Sequence, residues 1–245
     1  MRWAGCSLTF SPSAKTCFST TGDSKNMSIF YIIFAYLLGS IPFGYLITRF
    51  STKKDILKIG WKKTSGSNVF RNVGKWQGAL TGIFDVGKGF LAVWLAQKLG
   101  LSPEIQIFSG VAAVTGHNWS CFLKFAGGRG VGTFIGAALA LAPKIIGFSL
   151  IPFVLLSLIW NAAIGTFFLF ITVIFLSIYF SQFDIAGIFS ILSIVPIWIK
   201  RLSPIEEIKK AQNKAVLIRN RLIFDNNFLC LDLRIKRLLK RLTKT

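Results

Sequence analysis

The sequence predicts an all-α, polytopic integral membrane protein with about seven transmembrane helices. Three observations predict it. The 245-residue chain is 53% hydrophobic with a mean hydropathy of +0.59, more than a soluble domain of this length requires. Its apolar residues fall in runs close to the roughly 17 to 25 residues that carry a helix across a bilayer, where only helices or closed barrels satisfy their backbone. Its 29 Lys+Arg, set against 9 Asp+Glu, crowd into some of the segments between those runs and avoid others. A net charge of +20 would suit a nucleic-acid binder, but such a protein is not this apolar, and no nucleic acid is expected as a partner.

Taken in order, residues 1–26 are rich in Ser and Thr and lack an apolar core long enough for a signal peptide. They read as a disordered extension or as a start assigned ahead of Met27, with a targeting peptide as the alternative. The expected spans are 29–47, 78–99, 105–123, 131–142, 144–160, 163–180 and 185–199. The fourth is short, and it and the fifth are also compatible with one bent element. Residues 49–77 hold eight Lys/Arg and the chain from Lys200 holds thirteen, while Lys124 and Arg129 occupy a third loop on the same side. Only Lys98 and Lys144 fall in opposing loops. The positive-inside rule then places the N-terminus outside and the C-terminus in the cytoplasm.

Three regions follow: the extension 1–26, a membrane domain 27–200 and a basic cytoplasmic tail 201–245. Within the tail, 228–242 sets Leu231, Ile235, Leu238, Leu239 and Leu242 near one helical face, with Arg234, Arg237, Lys240 and Arg241 around it. Contact with an anionic lipid surface and a solvated basic helix both fit. The four cysteines are scattered without CxxC spacing, and one histidine with few carboxylates makes a metal centre unexpected. No cofactor is expected.

Three segments carry chemistry. Asp85 and Lys88 stand three apart on one helical face, as an ion pair that makes the helix tolerable in lipid or as a cation at the edge of a polar site. Gly82 to Lys88 fits GxxxxGK, but Gly89 replaces the magnesium-binding hydroxyl and no soluble strand precedes it, so a nucleotide site is excluded. In 64–78, Ser67, Asn68 and Arg71 supply donors, and a helix starting near Ser67 would aim its free N–H groups at an anion. An N-capped amphipathic connection is the alternative.

In GHNWSCFLKFAGGRGVGT, residues 116–133, Gly127, Gly128, Gly130 and Gly132 surround Arg129. They suit either an anion-binding nest or a plain glycine-rich turn. His117, the only histidine, is either structural or catalytic. The segments 64–78, 82–89 and 124–132 all map to one membrane face, and phosphate recognition by a lipid-facing enzyme explains that convergence better than three independent turns.

GSIPFGYLI at 39–47, SNVFRNVG at 67–74, DVGKG at 85–89 and the 116–133 block resemble the bacterial acyl-phosphate:glycerol-3-phosphate acyltransferases, the small integral-membrane PlsY family. The resemblance runs from about Met27 to Lys200. It implies a seven-helix enzyme of the bacterial inner membrane with a cytoplasmic phosphate site. That enzyme moves a fatty acyl group from acyl phosphate to the 1-hydroxyl of glycerol 3-phosphate, giving lysophosphatidic acid and phosphate, the first step of phospholipid synthesis. The implied partners are these two substrates, membrane lipids and a functional link to an enzyme that forms acyl phosphate.

On this reading His117, Asn68 and Arg71 form the catalytic set. Ser67, Lys88, Gly127, Gly128, Arg129 and Gly130 bind substrate phosphate. Acyltransferases that use thioester donors pair a histidine with a carboxylate five residues on, but Phe122 stands there, so no carboxylate is placed by sequence to orient His117. The chain departs from the family pattern at GWKKT (60–64), where Trp61 replaces a small serine, and at Arg129, which replaces a lysine. WNAAIGTFF (160–168) and IKRLSPIEEI (199–208) lack the family's serine loop and its His- and Asn-containing ending. A catalytically weak homologue serving as a scaffold and a transporter of a small anionic solute are the alternatives. No convincing inverted repeat supports transport.

Overall fold

The computed structural model describes residues 23–203, 214–219 and 221–222, and every described element is helical. The elements are α1 (Asp23–Ser40), α2 (Phe43–Thr52), α3 (Gly66–Asn72), α4 (Lys75–Lys98), α5 (Pro103–Asn118), α6 (Val131–Leu141), α7 (Pro143–Ile159), α8 (Ala162–Tyr179), α9 (Ile188–Leu202) and α10 (Lys214–Arg219). Each expected apolar span overlaps at least one helix. Among the described residues, four helical stretches are long and apolar enough to cross a membrane: Asn26–Thr52, Lys75–Lys98, Ala162–Tyr179 and Phe183–Leu202. α6 and α7 are separate helices joined at Ala142, so the single bent element is not seen. The outward faces carry large apolar side chains such as Phe30, Leu158 and Phe175, the pattern of a surface solvated by lipid.

Several boundaries differ from expectation, among them that of the third span, whose helix ends at Asn118 rather than 123. The first span breaks at Ile41 and Pro42, because proline supplies no N–H and clashes with the preceding turn. The carbonyl of Ile41 accepts instead from Lys88 Nζ at 2.9 Å. The last span continues past 200 and ends at Leu202, carrying Arg201 in its final turn. Residues 1–22 and the amphipathic segment 228–242 lie outside the described residues.

Close helix packing comes from small residues, as expected where lipid offers no hydrophobic drive between helices. A side chain at Gly39 would strike the backbone of Ala113, and one at Gly116 that of Tyr36, so α1 lies flush on α5. Gly89 meets the backbone of Thr133 and Gly136 that of Val86, fixing α4 against α6. Polar bonds lock the arrangement: Tyr31 donates to Ala92 O at 2.8 Å, and Gln97 to Ala140 O at 2.9 Å. The central packing is aromatic, with Phe134 stacked on Phe189 at 5.1 Å and tilted against Phe170 at 4.6 Å.

At one end of the bundle three loops meet. Thr64 N donates to Gly127 O at 3.3 Å. Lys63 Nζ donates to Lys200 O at 3.0 Å, and Lys200 Nζ to Phe125 O at 3.2 Å. Residues 63–64, 125–127 and Lys200, from three basic segments, thus meet at one end of the bundle.

Candidate active site

Below those loops lies a cavity of about 470 Å³. Its polar lining includes Ser65, Ser67 and Arg71 of the α3 region, Asp85 of α4, His117 of α5, Arg129, and Arg201 of α9. Its apolar lining includes Phe70, Ala79, Gly82, Ile135, Phe153 and Ala162. A mixed lining of this kind suits a molecule that carries both charge and apolar surface.

The starts of two helices line the cavity. α3 begins at Gly66 and α6 at Val131, and neither has a side-chain cap. Their first N–H groups carry partial positive charge toward the cavity. Gly130 adopts the left-handed conformation (φ 76°) that turns the chain into α6, which a residue with a Cβ resists.

Arg129 is buried, with its guanidinium 4.6 Å from the centroid of the Trp61 ring. Arg71, exposed to the cavity mouth, stands 5.1 Å from the same ring. Trp61, a departure from the family pattern, therefore serves as a platform for both arginines. Burial, and then Arg201 and Arg71, pull Arg129 down to about 9, still cationic at neutral pH. Burial, and then Arg129, Lys200, Arg221 and Arg201, pull Lys63 down to about 7. Among the described residues that line the cavity, Asp85 is the one carboxylate.

Asp85 supplies what the local sequence lacked. Its Oδ1 lies 3.3 Å from His117 Nδ1 and 3.2 Å from Lys88 Nζ, all three groups being buried. A carboxylate from another helix thus stands beside the imidazole, where the chain five residues beyond His117 offers only Phe122. Spacing along the chain could not reveal it, because the partner lies 32 positions upstream.

The remaining expected residues divide. Ser67 lines the cavity with its hydroxyl 3.5 Å from that of Ser65. Lys88 is committed to Asp85 and to Ile41 O and does not line the cavity. Asn68 is fully buried, and its amide is spent on the protein itself. It donates to Ile59 O (3.2 Å) and Lys63 O (2.8 Å), and it accepts from Trp61 N (3.0 Å) and from Asn72 Nδ2 (2.9 Å). That side chain builds the turn that presents Trp61 and has nothing left for substrate.

Gly127 and Gly128 also act differently from a nest. Gly128 N donates to His117 O at 3.0 Å, and a side chain at 128 would collide with His117 Nε2. The glycines let the loop lie on the end of α5 and keep the Nε2 side of the imidazole clear. Arg129 and the start of α6 are what face the cavity. Among the described residues, no group of three or more metal-ligating side chains assembles.

Fold and cavity together define a helical membrane protein organised around a cavity lined by three arginines, Asp85 and His117 as well as apolar side chains. Comparison with known proteins gives that class its family. The family model described as glycerol-3-phosphate acyltransferase matches residues 29–211. The glycerol-3-phosphate acyltransferase of Prochlorococcus marinus (strain MIT 9312) is 38% identical over 202 residues, covering 77% of this chain and 100% of that one. Glycerol-3-phosphate acyltransferase 5 of Dehalococcoides mccartyi is 35% identical over 211 residues, covering 82% and 91%. A crystal structure of PlsY (YgiH), an integral membrane glycerol 3-phosphate acyltransferase in its glycerol 3-phosphate form, superimposes with a TM-score of 0.63 at 27% identity, covering 84% of this chain and 98% of that one. Its lysophosphatidic acid form gives a TM-score of 0.64 over 75% and 92%. This chain belongs to the glycerol-3-phosphate acyltransferase family and is an acyltransferase of the PlsY kind.

Proposed function

We propose that this protein transfers a fatty acyl group from acyl phosphate to the 1-hydroxyl of glycerol 3-phosphate at the cytoplasmic face of a bacterial inner membrane. The observation that carries the reading is the cavity itself, which is lined by three arginines and an Asp85–His117 pair together with apolar side chains such as Phe70, Ile135 and Phe153. Two phosphate-bearing substrates and one acyl chain match that lining.

In the reaction the hydroxyl oxygen attacks the acyl carbon, the bond from that carbon to the phosphate oxygen breaks, and inorganic phosphate leaves. The mixed anhydride is already activated, so positioning and charge neutralisation supply most of the acceleration. Arg71, Arg129 and the start of α6 hold phosphate oxygens, and Ser65 and Ser67 supply hydroxyl donors beside them. His117, set by Asp85, polarises the attacking hydroxyl and takes its proton. The departing phosphate is the final acceptor. The acyl chain lies along Phe70, Ile135 and Phe153.

Purified protein given both substrates tests this. Arg71→Ala and Arg129→Ala should each lower kcat/KM by about 100-fold, the usual scale for losing one preorganised donor to developing charge. His117→Ala should fall comparably. Near-normal turnover in His117→Ala would reduce that residue to a packing role.

A further inference from the structure

Arg201 is buried at 2% exposure in the last turn of α9 and lines the cavity, where Asp85 is the one acidic side chain among the described lining residues. Its Nε and Nη1 have no hydrogen-bond partner among the described residues. Asp85 is already engaged by Lys88 and His117, which are its ion pairs among the described residues. The Trp198 ring lies 5.4 Å from the Arg201 guanidinium and attracts its charge, and the carbonyl end of α9 favours a cation too. Neither satisfies the two N–H groups, and buried donors to nothing are strongly disfavoured.

The arginine is also held in place. Asn118 Nδ2 donates to Pro196 O at 2.9 Å, and Lys63 Nζ to Lys200 O at 3.0 Å. Arg221 Nη1 donates to Leu202 O at 2.8 Å, so the last turn of α9 is tied down on several sides. Lys200, the neighbouring cation, turns away to Phe125 O and the Trp119 ring. A rigid element therefore presents one guanidinium, with donors to spare, to the compartment that Arg71 and Arg129 also line.

We infer that Arg201 is a third phosphate-binding guanidinium, delivered by the last membrane helix and closing the anion site where the family's usual C-terminal ending is lost. Its ligand is a phosphate group bearing at least two free oxygens, from glycerol 3-phosphate or from acyl phosphate. This rests on the acyl-transfer reading, but phosphate binding is measurable without turnover. If the wild type bound phosphate through Arg201 and made no lysophosphatidic acid, the reading of the reaction would fail and this one would stand.

The experiment titrates inorganic phosphate and glycerol 3-phosphate separately into the full chain in detergent, following thermal melting in wild type, Arg201→Gln and Arg201→Lys. Without anion, Arg201→Gln should melt no lower than wild type, because it removes a buried charge. Its phosphate-induced rise in Tm should largely vanish, with Kd for inorganic phosphate about tenfold weaker. Arg201→Lys should fall between. A matching loss for glycerol 3-phosphate assigns Arg201 to that substrate. Unchanged glycerol 3-phosphate binding with a raised KM for acyl phosphate assigns it to the donor. A folded Arg201→Gln with wild-type phosphate affinity overturns the inference. If Arg201→Gln does not fold, Arg201→Lys decides, and wild-type phosphate affinity in that variant overturns it equally.

Discussion

Trp61 holds two guanidiniums against one ring, and Asn68 holds Trp61 through its backbone N–H. Each cation–aromatic contact is worth about 1 kcal/mol at a partly exposed site. Trp61→Ala should therefore lower kcat/KM about tenfold, mostly through KM, and Trp61→Phe should recover part of it. Asp85 serves two partners, and a double substitution separates them. Asp85→Asn leaves Lys88 buried beside a neutral amide and should destabilise by about 3 to 5 kcal/mol, read by thermal melting. Asp85→Asn with Lys88→Met should regain the stability but not the activity, because His117 stays unoriented. At this scale the sequence was informative about residue types and weak about partners. Arg71 and Arg129 stood out as basic groups among glycines. The Asp85–His117 pair, the Trp61 platform and the use of Arg201 depend on contacts between separate segments of the chain, which no local spacing encodes.

The helices meet through glycines whose neighbours are backbone atoms. Gly136 faces the carbonyl of Val86, whereas a side chain at Gly87 would meet open space. Gly136→Val should cost about 1 to 3 kcal/mol by forcing α4 and α6 apart. Gly87→Ala should be neutral or raise stability by about 0.5 to 1 kcal/mol through helix propensity. Melting curves of the two variants in one detergent check the contrast. The apolar runs made the helices legible, since each must hide its backbone from lipid. The break at Ile41 and Pro42 was not resolved, because an apolar run stays apolar across a proline. The glycine-dense loop was read as an anion nest, yet Gly127 and Gly128 are required by packing on α5, a need that composition cannot distinguish from ligand binding.

At the scale of the whole molecule, the basic segments gather at one end of the bundle, where Lys63, Arg129, Lys200 and Arg201 stand near one another. That has a pH signature. Lys63 titrates at about 7 in the folded protein against an ordinary 10.5, so between those values the unfolded chain binds more protons. Without phosphate, the protein should become more stable as pH rises through that window. Bound phosphate favours the charged lysine and should flatten the slope, and Lys63→Met should remove this contribution to it. Melting temperatures across pH 7 to 9, with and without phosphate, read both effects. The most direct test of the central claim is the donor itself. Purified protein in detergent is supplied with glycerol 3-phosphate and, in parallel, acyl phosphate or the acyl-CoA of the same chain. The account predicts lysophosphatidic acid and inorganic phosphate in equal amounts from acyl phosphate alone. Folded protein that forms no product from acyl phosphate, or that works as well from acyl-CoA, would contradict it.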